Sequence, residues 1–251
     1  YNPYHGGNRI GANFNFWKIW SRYFVRDYPD GTLIQEEGMP GVWLLQHNKR
    51  RPFKTRAALY SRYDATRIIQ ISKNELEAYE IGPSIQFANY SLLRSIQGTI
   101  YLLVDDTIRG IESMEVFRTI GFNPEEVIDV EEKDLELYTI GDNITLSSAY
   151  PTGALLQDNS TGAVFFVQDG KRHGIIDRAI MDLNFKNQKP LPIHPDELTQ
   201  YPYAGPAKLV DGTIITSPES SAVYIISDGR RRPVISGEAF EKLGYSWDNI
   251  H

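Results

Sequence analysis

The chain has 251 residues, a formal net charge of -6, 41% hydrophobic and 12% aromatic residues, and no cysteine. That length and apolar content suffice to bury a core, so disorder is not expected over most of the chain. The acidic balance disfavours a general nucleic-acid binder. Disulfides, thiolate metal sites and cysteine nucleophiles are excluded outright, and no apolar run reaches the roughly 18 residues of a membrane-spanning helix. The 15 tyrosines, 14 prolines and 20 glycines point to a turn-rich β protein.

The chain opens on Tyr1 without a charged stretch leading into an apolar one, so a trimmed or processed start is expected. Residues 1–27 are predicted to be an N-terminal arm followed by an aromatic segment. Phe14, Phe16, Trp17, Trp20, Tyr23 and Phe24 crowd together there, and such a cluster is expected to be covered. These six are the candidate assembly residues. They would complete the last unit of their own chain or dock on the next molecule.

From residue 28 onward the chain repeats itself. VWLLQHNKRRPF at 42–53 recurs as IYLLVDDTIRGI at 100–111, VFFVQDGKRHGI at 164–175 and VYIISDGRRRPV at 223–234. The aromatic position is Trp43, Tyr101, Phe165 and Tyr224, with spacings of 58, 64 and 59. Each copy reads as a hairpin, because a β-branched and aromatic run leads into a two-residue turn. Asp169-Gly170 and Asp228-Gly229 are strong type I′ signals, since glycine takes positive φ without a steric cost; His47-Asn48 and Asp105-Asp106 are weaker. An earlier strand precedes each hairpin: GTLI at 31–34, a shorter copy at Leu92-Leu93, GALL at 153–156 and GTII at 212–215.

A short helix is expected after each hairpin, N-capped by Thr55, Ser113, Asp177 and Ser236. Gly121 and Gly244 are its expected stops in two copies. IIQI at 68–71, VIDV at 127–130 and PLPI at 190–193 follow as a third apolar stretch. A second helix begins at a Ser72/Glu75 capping box in the first unit and with Pro195 at its first position in the third. Leu76, Leu135 and Leu198, with Tyr79, Tyr138 and Tyr201 three residues on, share a core-facing side, and Gly82, Gly141 and Gly205 close each unit. The fourth unit reaches His251 without its third strand or second helix.

The predicted fold is therefore mainly β with short helices: four tandem units of about 60 residues at 28–82, 83–141, 142–205 and 206–251. One unit cannot bury both its faces, so neighbours must stack, either as a propeller-like ring or as an open repeat array. The hairpin aromatics Trp43, Phe165 and Tyr224 are expected to be largely buried.

The basic turn is the feature that could carry binding. Arg50, Arg51, Arg109, Lys171, Arg172, Arg230, Arg231 and Arg232 return at one place per unit. They are candidate contacts for an anionic glycan or cell-wall polymer, where repetition raises avidity. The structural alternative is that they guard exposed hairpins. His47 and His173 stand at repeat positions held elsewhere by Asp and Arg, so neither is assigned a metal or base role.

DGTII, VYIISDGRRRPV, SGEAFEKLGYSW and SKNELEAYEIG together resemble a tandem repeat of secreted and cell-surface bacterial proteins. The resemblance covers about 28–251. Asp106-Thr107 departs from it in the second unit, and FKNQKPLPIH in the third. It implies an extracellular or cell-surface location and an attachment or scaffold role, with no catalytic residues to carry over. Nucleophile elbows, HExxH helices, phosphate-cradling loops and EF-hand loops are absent from the sequence. The expected function is a non-catalytic structural module of a surface layer, filament or appendage; the alternative is adhesion through a carbohydrate-binding module. No cofactor or metal is expected. The partner is another copy of the chain or a cell-wall glycan.

Overall fold

The computed structural model describes residues 28–251 apart from positions 149, 187 and 218. The N-terminal arm and its six aromatic residues lie outside the described residues.

The structure is mainly β with short helices, arranged as four sheets. In the first sheet the chain runs β1 (Leu33–Glu36), β2 (Val42–Gln46), β3 (Lys49–Pro52), α1 (Arg56–Tyr60), β4 (Ile68–Ile71), α2 (Lys73–Glu77) and β5 (Glu80–Ile81). The strand order is β4-β1-β2-β3-β5. The three central strands form an antiparallel meander, and β4 and β5 flank it in parallel. A parallel neighbour needs a crossover, which the two short helices supply.

The second sheet repeats this with β6 (Leu92–Arg94), β7 (Ile100–Val104), β8 (Thr107–Gly110), α3 (Met114–Ile120), β9 (Val127–Asp129), α4 (Glu132–Leu135) and β10 (Thr139–Ile140). The third does so with β11 (Ala154–Asp158), β12 (Val164–Gln168), β13 (Lys171–Gly174), α5 (Arg178–Asn184), β14 (Leu191–Ile193), α6 (Pro195–Leu198) and β15 (Tyr203–Pro206). The fourth holds β16 (Ile214–Ser217), β17 (Ser220–Ser227) and β18 (Arg230–Pro233), followed by α7 (Gly237–Lys242). Its third apolar stretch is not wholly missing, contrary to the expectation from the sequence. Ile250 bridges Ile214 in parallel, and His251 exchanges backbone hydrogen bonds with Ile214 and Thr216, so one bridged pair stands where the other sheets carry a flanking strand.

Each helix covers one face of its sheet. In the first, Ala58 and Leu59 of α1 pack with Leu33, Leu44 and Ile85, while Leu76 of α2 packs with Ile34, Leu45 and Ile69 on the other side. Sheets covered on both faces carry continuous apolar pairs such as Leu33-Ile34 and Leu44-Leu45 rather than strict alternation. The expected caps form: Thr55, Ser113, Asp177 and Ser236 each accept a backbone N–H of the first turn, and Ser72 with Glu75 makes the capping box. The turns at 47–48, 169–170 and 228–229 have positive φ at both positions, as type I′ requires. The second turn has it only at Asp105.

Trp43, Phe165 and Tyr224 are half-buried, not largely buried as expected. The positions two residues on, Leu45, Val167 and Ile226, take the interior. Each aromatic ring instead lies at the margin under a guanidinium from the neighbouring strand. Arg50 sits 4.8 Å from the Trp43 ring, Arg172 5.4 Å from Phe165 and Arg231 5.5 Å from Tyr224.

Candidate functional site: the basic strand and the junctions between sheets

Side chains alternate across a strand, so three consecutive basic residues cannot act alike. Lys49, Lys171 and Arg230 come first in their strands and are exposed. Arg50, Arg172 and Arg231 come second and cover the aromatic rings. In the second sheet Ile108 takes this place and is buried beside Tyr101.

The third position points the other way, toward the next sheet. Arg51 is buried and bridges both carboxylate oxygens of Asp106 in the second sheet's turn; its Nε donates to the Pro83 carbonyl at 3.0 Å and Nη1 to Gln46 at 2.6 Å. Burial raises the pKa of Asp106, but hydrogen bonding and attraction from Arg51 outweigh it and hold the carboxyl below its usual range. Arg62 joins the same turn, donating to the Asp105 carbonyl at 2.8 Å. Arg109 repeats the arrangement one sheet along: it pairs with Asp169 and donates to the Asp142 carbonyl at 2.8 Å. In the third sheet His173 replaces the arginine, and in the fourth Arg232 turns to Asp228 of its own hairpin at 3.4 Å. Asn89 is committed to the second turn: its side-chain oxygen accepts the Asp105 N–H at 2.7 Å.

The first and fourth sheets also meet. Gly31 and Gly212 have φ of 89° and 78°, and their backbones touch. A Cβ on Gly31 would lie 2.4 Å from the Asp211 carbonyl carbon, and one on Gly212 2.3 Å from the Gly31 carbonyl oxygen. Around this contact the Thr32 and Tyr245 hydroxyls lie 3.1 Å apart, and the Asn249 amide donates to the Thr66 carbonyl at 3.3 Å. Leu243 and Tyr245 pack on the apolar cluster of the first sheet. Burial pushes the Tyr245 hydroxyl well above its usual range and lowers the pKa of Arg67 beside it.

At the edge of this junction Asp30, His47 and Asp228 bring one potential metal-ligand atom each to within 4.8 Å of one another. Repeat position gave no hint of this, because His47 and Asp228 lie in hairpin turns of different sheets. Two of the groups have other bonds: Asp30 accepts the His47 backbone N–H at 2.8 Å, and Asp228 pairs with Arg232.

A cavity of about 920 Å³ lies between the sheets. Gln46 and Arg51 of the first sheet, Asp105 of the second, Gln168 and His173 of the third, and Asp211 ahead of the fourth all border it. Phe166 and Phe185 pair on its wall with ring centroids 4.8 Å apart, next to Asn184, whose side-chain oxygen is buried without a hydrogen-bond partner.

No family model matches the chain, and no curated protein matches it. Among solved structures it is similar to the periplasmic assembly from the ESX-5 inner membrane complex, with TM-score 0.22 and 10% identity over 88% of this chain and 87% of that one. It is also similar to an intact ESX-5 inner membrane complex, with TM-score 0.20 and 13% identity over 87% and 63%. The EccB3 dimer from the ESX-3 core complex gives TM-score 0.23 and 9% identity over 87% and 94%. At such TM-scores the likenesses carry no argument about fold or role.

Proposed function

We propose that the chain is a non-catalytic scaffold module whose four sheets close into a propeller-like ring, acting at a bacterial surface. The observation that carries this reading is the fate of the basic strand. Arg51 and Arg109 tie one sheet to the next, and Arg50, Arg172 and Arg231 lie over aromatic rings of their own sheets. Side chains so engaged build a rigid body rather than a row of free cations for a polyanion. The contact of the first sheet with the fourth supports closure. The resemblance to surface-protein repeats supports the location.

A scaffold also needs contact surfaces. Ile81, Ile140 and Tyr203 stand at matching places on β5, β10 and β15, exposed by 64%, 74% and 55%. Recurring exposed apolar side chains fit association with further copies of the chain. Sedimentation across a concentration series tests this: the chain should self-associate, and replacing all three residues with Ser should abolish association. A chain that stays monomeric and is retained by purified cell-wall polymer would overturn the scaffold reading. The cavity, with its paired phenyl rings and the unpartnered Asn184 amide oxygen, favours one second reading, a sugar-binding module. Retention on cell-wall polymer lost with Asn184→Ala would establish it.

A further inference from the structure

The sheets are not all joined alike. Where the first meets the second, Arg51 pairs with Asp106, and where the second meets the third, Arg109 pairs with Asp169. Among the described residues no such pair joins the fourth sheet to the first. Arg232 stands in the place of Arg51 and Arg109, but the first sheet's turn opens on His47, whereas the other three open on Asp105, Asp169 and Asp228. Arg232 folds back to Asp228 of its own hairpin instead.

The junction sets two copies of one clasp side by side. Ahead of the first strand of each of these sheets, an aspartate holds the hairpin turn. Asp30 accepts the His47 N–H at 2.8 Å, and Asp211 accepts the N–H groups of Asp228 and Gly229 at 2.9 and 3.0 Å. Gly31 follows Asp30 and Gly212 follows Asp211, so the contact between the two glycines draws both clasps together. His47 and Asp228, each first in its turn with φ of 51° and 52°, are thereby fixed by their backbones next to Asp30. One ligand atom from each of the three lies within 4.8 Å of the others.

The set suits a transition metal. Zinc takes imidazole nitrogen and carboxylate oxygen together, whereas calcium and magnesium favour oxygen alone. Three protein groups leave the fourth tetrahedral place to water. The ligand atoms are free to bind. Asp30 and Asp228 each use Oδ2 in the bonds already described and keep Oδ1, and neither ring nitrogen of His47 has a hydrogen-bond partner among the described residues. Ligand atoms round a tetrahedral zinc lie about 3.4 Å apart, so the widest pair must close by roughly 1.4 Å at most. Small rotations of the exposed His47 and Asp228 side chains accomplish that. The Arg232–Asp228 pair, at 3.4 Å and half exposed, is weak enough to yield.

We propose that Asp30, His47 and Asp228 bind one divalent ion of the zinc class. The ion ties the fourth sheet to the first, as the arginine–aspartate pairs tie the first to the second and the second to the third. The inference rests on the closed arrangement proposed above, and its test separates the two.

Calorimetric titration of the metal-stripped chain with zinc chloride should show one tight site. A roughly hundredfold excess of zinc over Kd should raise the melting temperature by about 5–10 °C. Asn tolerates positive φ, so Asp30→Asn, His47→Asn and Asp228→Asn spare the turns while removing a ligand. Each should lower zinc affinity by roughly tenfold or more. His194→Gln, which removes the imidazole beside Asp196, should leave the affinity unchanged. Zinc binding that His47→Asn does not weaken, or calcium chloride bound as tightly as zinc, would overturn the proposal and leave only exposed carboxylates. Absence of zinc binding would overturn it too. If a disulfide between Thr66→Cys and Asn249→Cys still forms on mild oxidation in that case, the closed arrangement survives and only the metal site falls; if it does not form, both fall.

Discussion

Gly31 lies where the first and fourth sheets touch, and its replacement separates backbone strain from the contact itself. Gly31→Ala meets two costs. Its φ of 89° is a left-handed conformation that costs an L-residue about 1–2 kcal/mol. Its new methyl would lie 2.4 Å from the Asp211 carbonyl carbon and 2.5 Å from the Gly212 nitrogen, both backbone atoms that cannot swing aside. Overpacking of that kind adds about 1–3 kcal/mol, for a total of roughly 2–5 kcal/mol. Gly38 is the control, with φ of 75° and nothing within 4 Å of the place its new methyl would take. Gly38→Ala should cost only the conformational part, about 1–2 kcal/mol. Urea denaturation of both variants gives the difference directly, provided the m-values agree. Equal losses in the two variants would refute the close approach of the sheets.

Asp106→Asn should destabilise by about 1–2 kcal/mol, because it removes charge from the bridge to buried Arg51 while Asp106 itself remains 41% exposed. The folded carboxyl is held below its usual pKa, so its contribution is present above the unfolded value of about 4 and is lost as pH falls through the folded one. Wild-type stability should therefore drop in acid more steeply than that of Asp106→Asn, as melting at stepped pH would show. Phe117→Ala, at 0% exposure, should cost about 3–5 kcal/mol in the same denaturation assay. Half-buried Phe165→Ala should cost clearly less, and a larger loss would contradict its marginal position. Arg230, Arg231 and Arg232 changed together to Glu should leave far-ultraviolet circular dichroism unaltered, since exposed charges contribute about 0–1 kcal/mol each.

Local signals made much of each sheet legible. A turn needing positive φ at 169–170 and 228–229, capping oxygens at Thr55, Ser113, Asp177 and Ser236, and the Ser72-Glu75 pair each act over a few residues and left direct marks. Long-range geometry left weaker ones. Arg50 and Arg51 are chemically identical neighbours, and only the parity of β3 sends one over Trp43 and the other to Asp106. Strand alternation could have foretold that they part, but not what either would meet. The Asp30, His47 and Asp228 cluster depends on two turns from opposite ends of the chain coming together, which no local pattern encodes. The half-burial of Trp43 follows from the first sheet being covered on both faces, so that aliphatic pairs take the interior and the large ring the margin.

The distance between the first and fourth sheets tests the closed scaffold most directly. Spin labels on cysteines replacing Thr66, whose backbone carbonyl accepts the Asn249 amide, and Asp248, next to Asn249, report it from two exposed positions. Closure requires one short, narrow distance of about 20 Å or less once label length is included, whereas four sheets in an open row, each about 10 Å from the next, place the end sheets roughly 30 Å or more apart. A dominant long distance in dilute monomer would contradict the account.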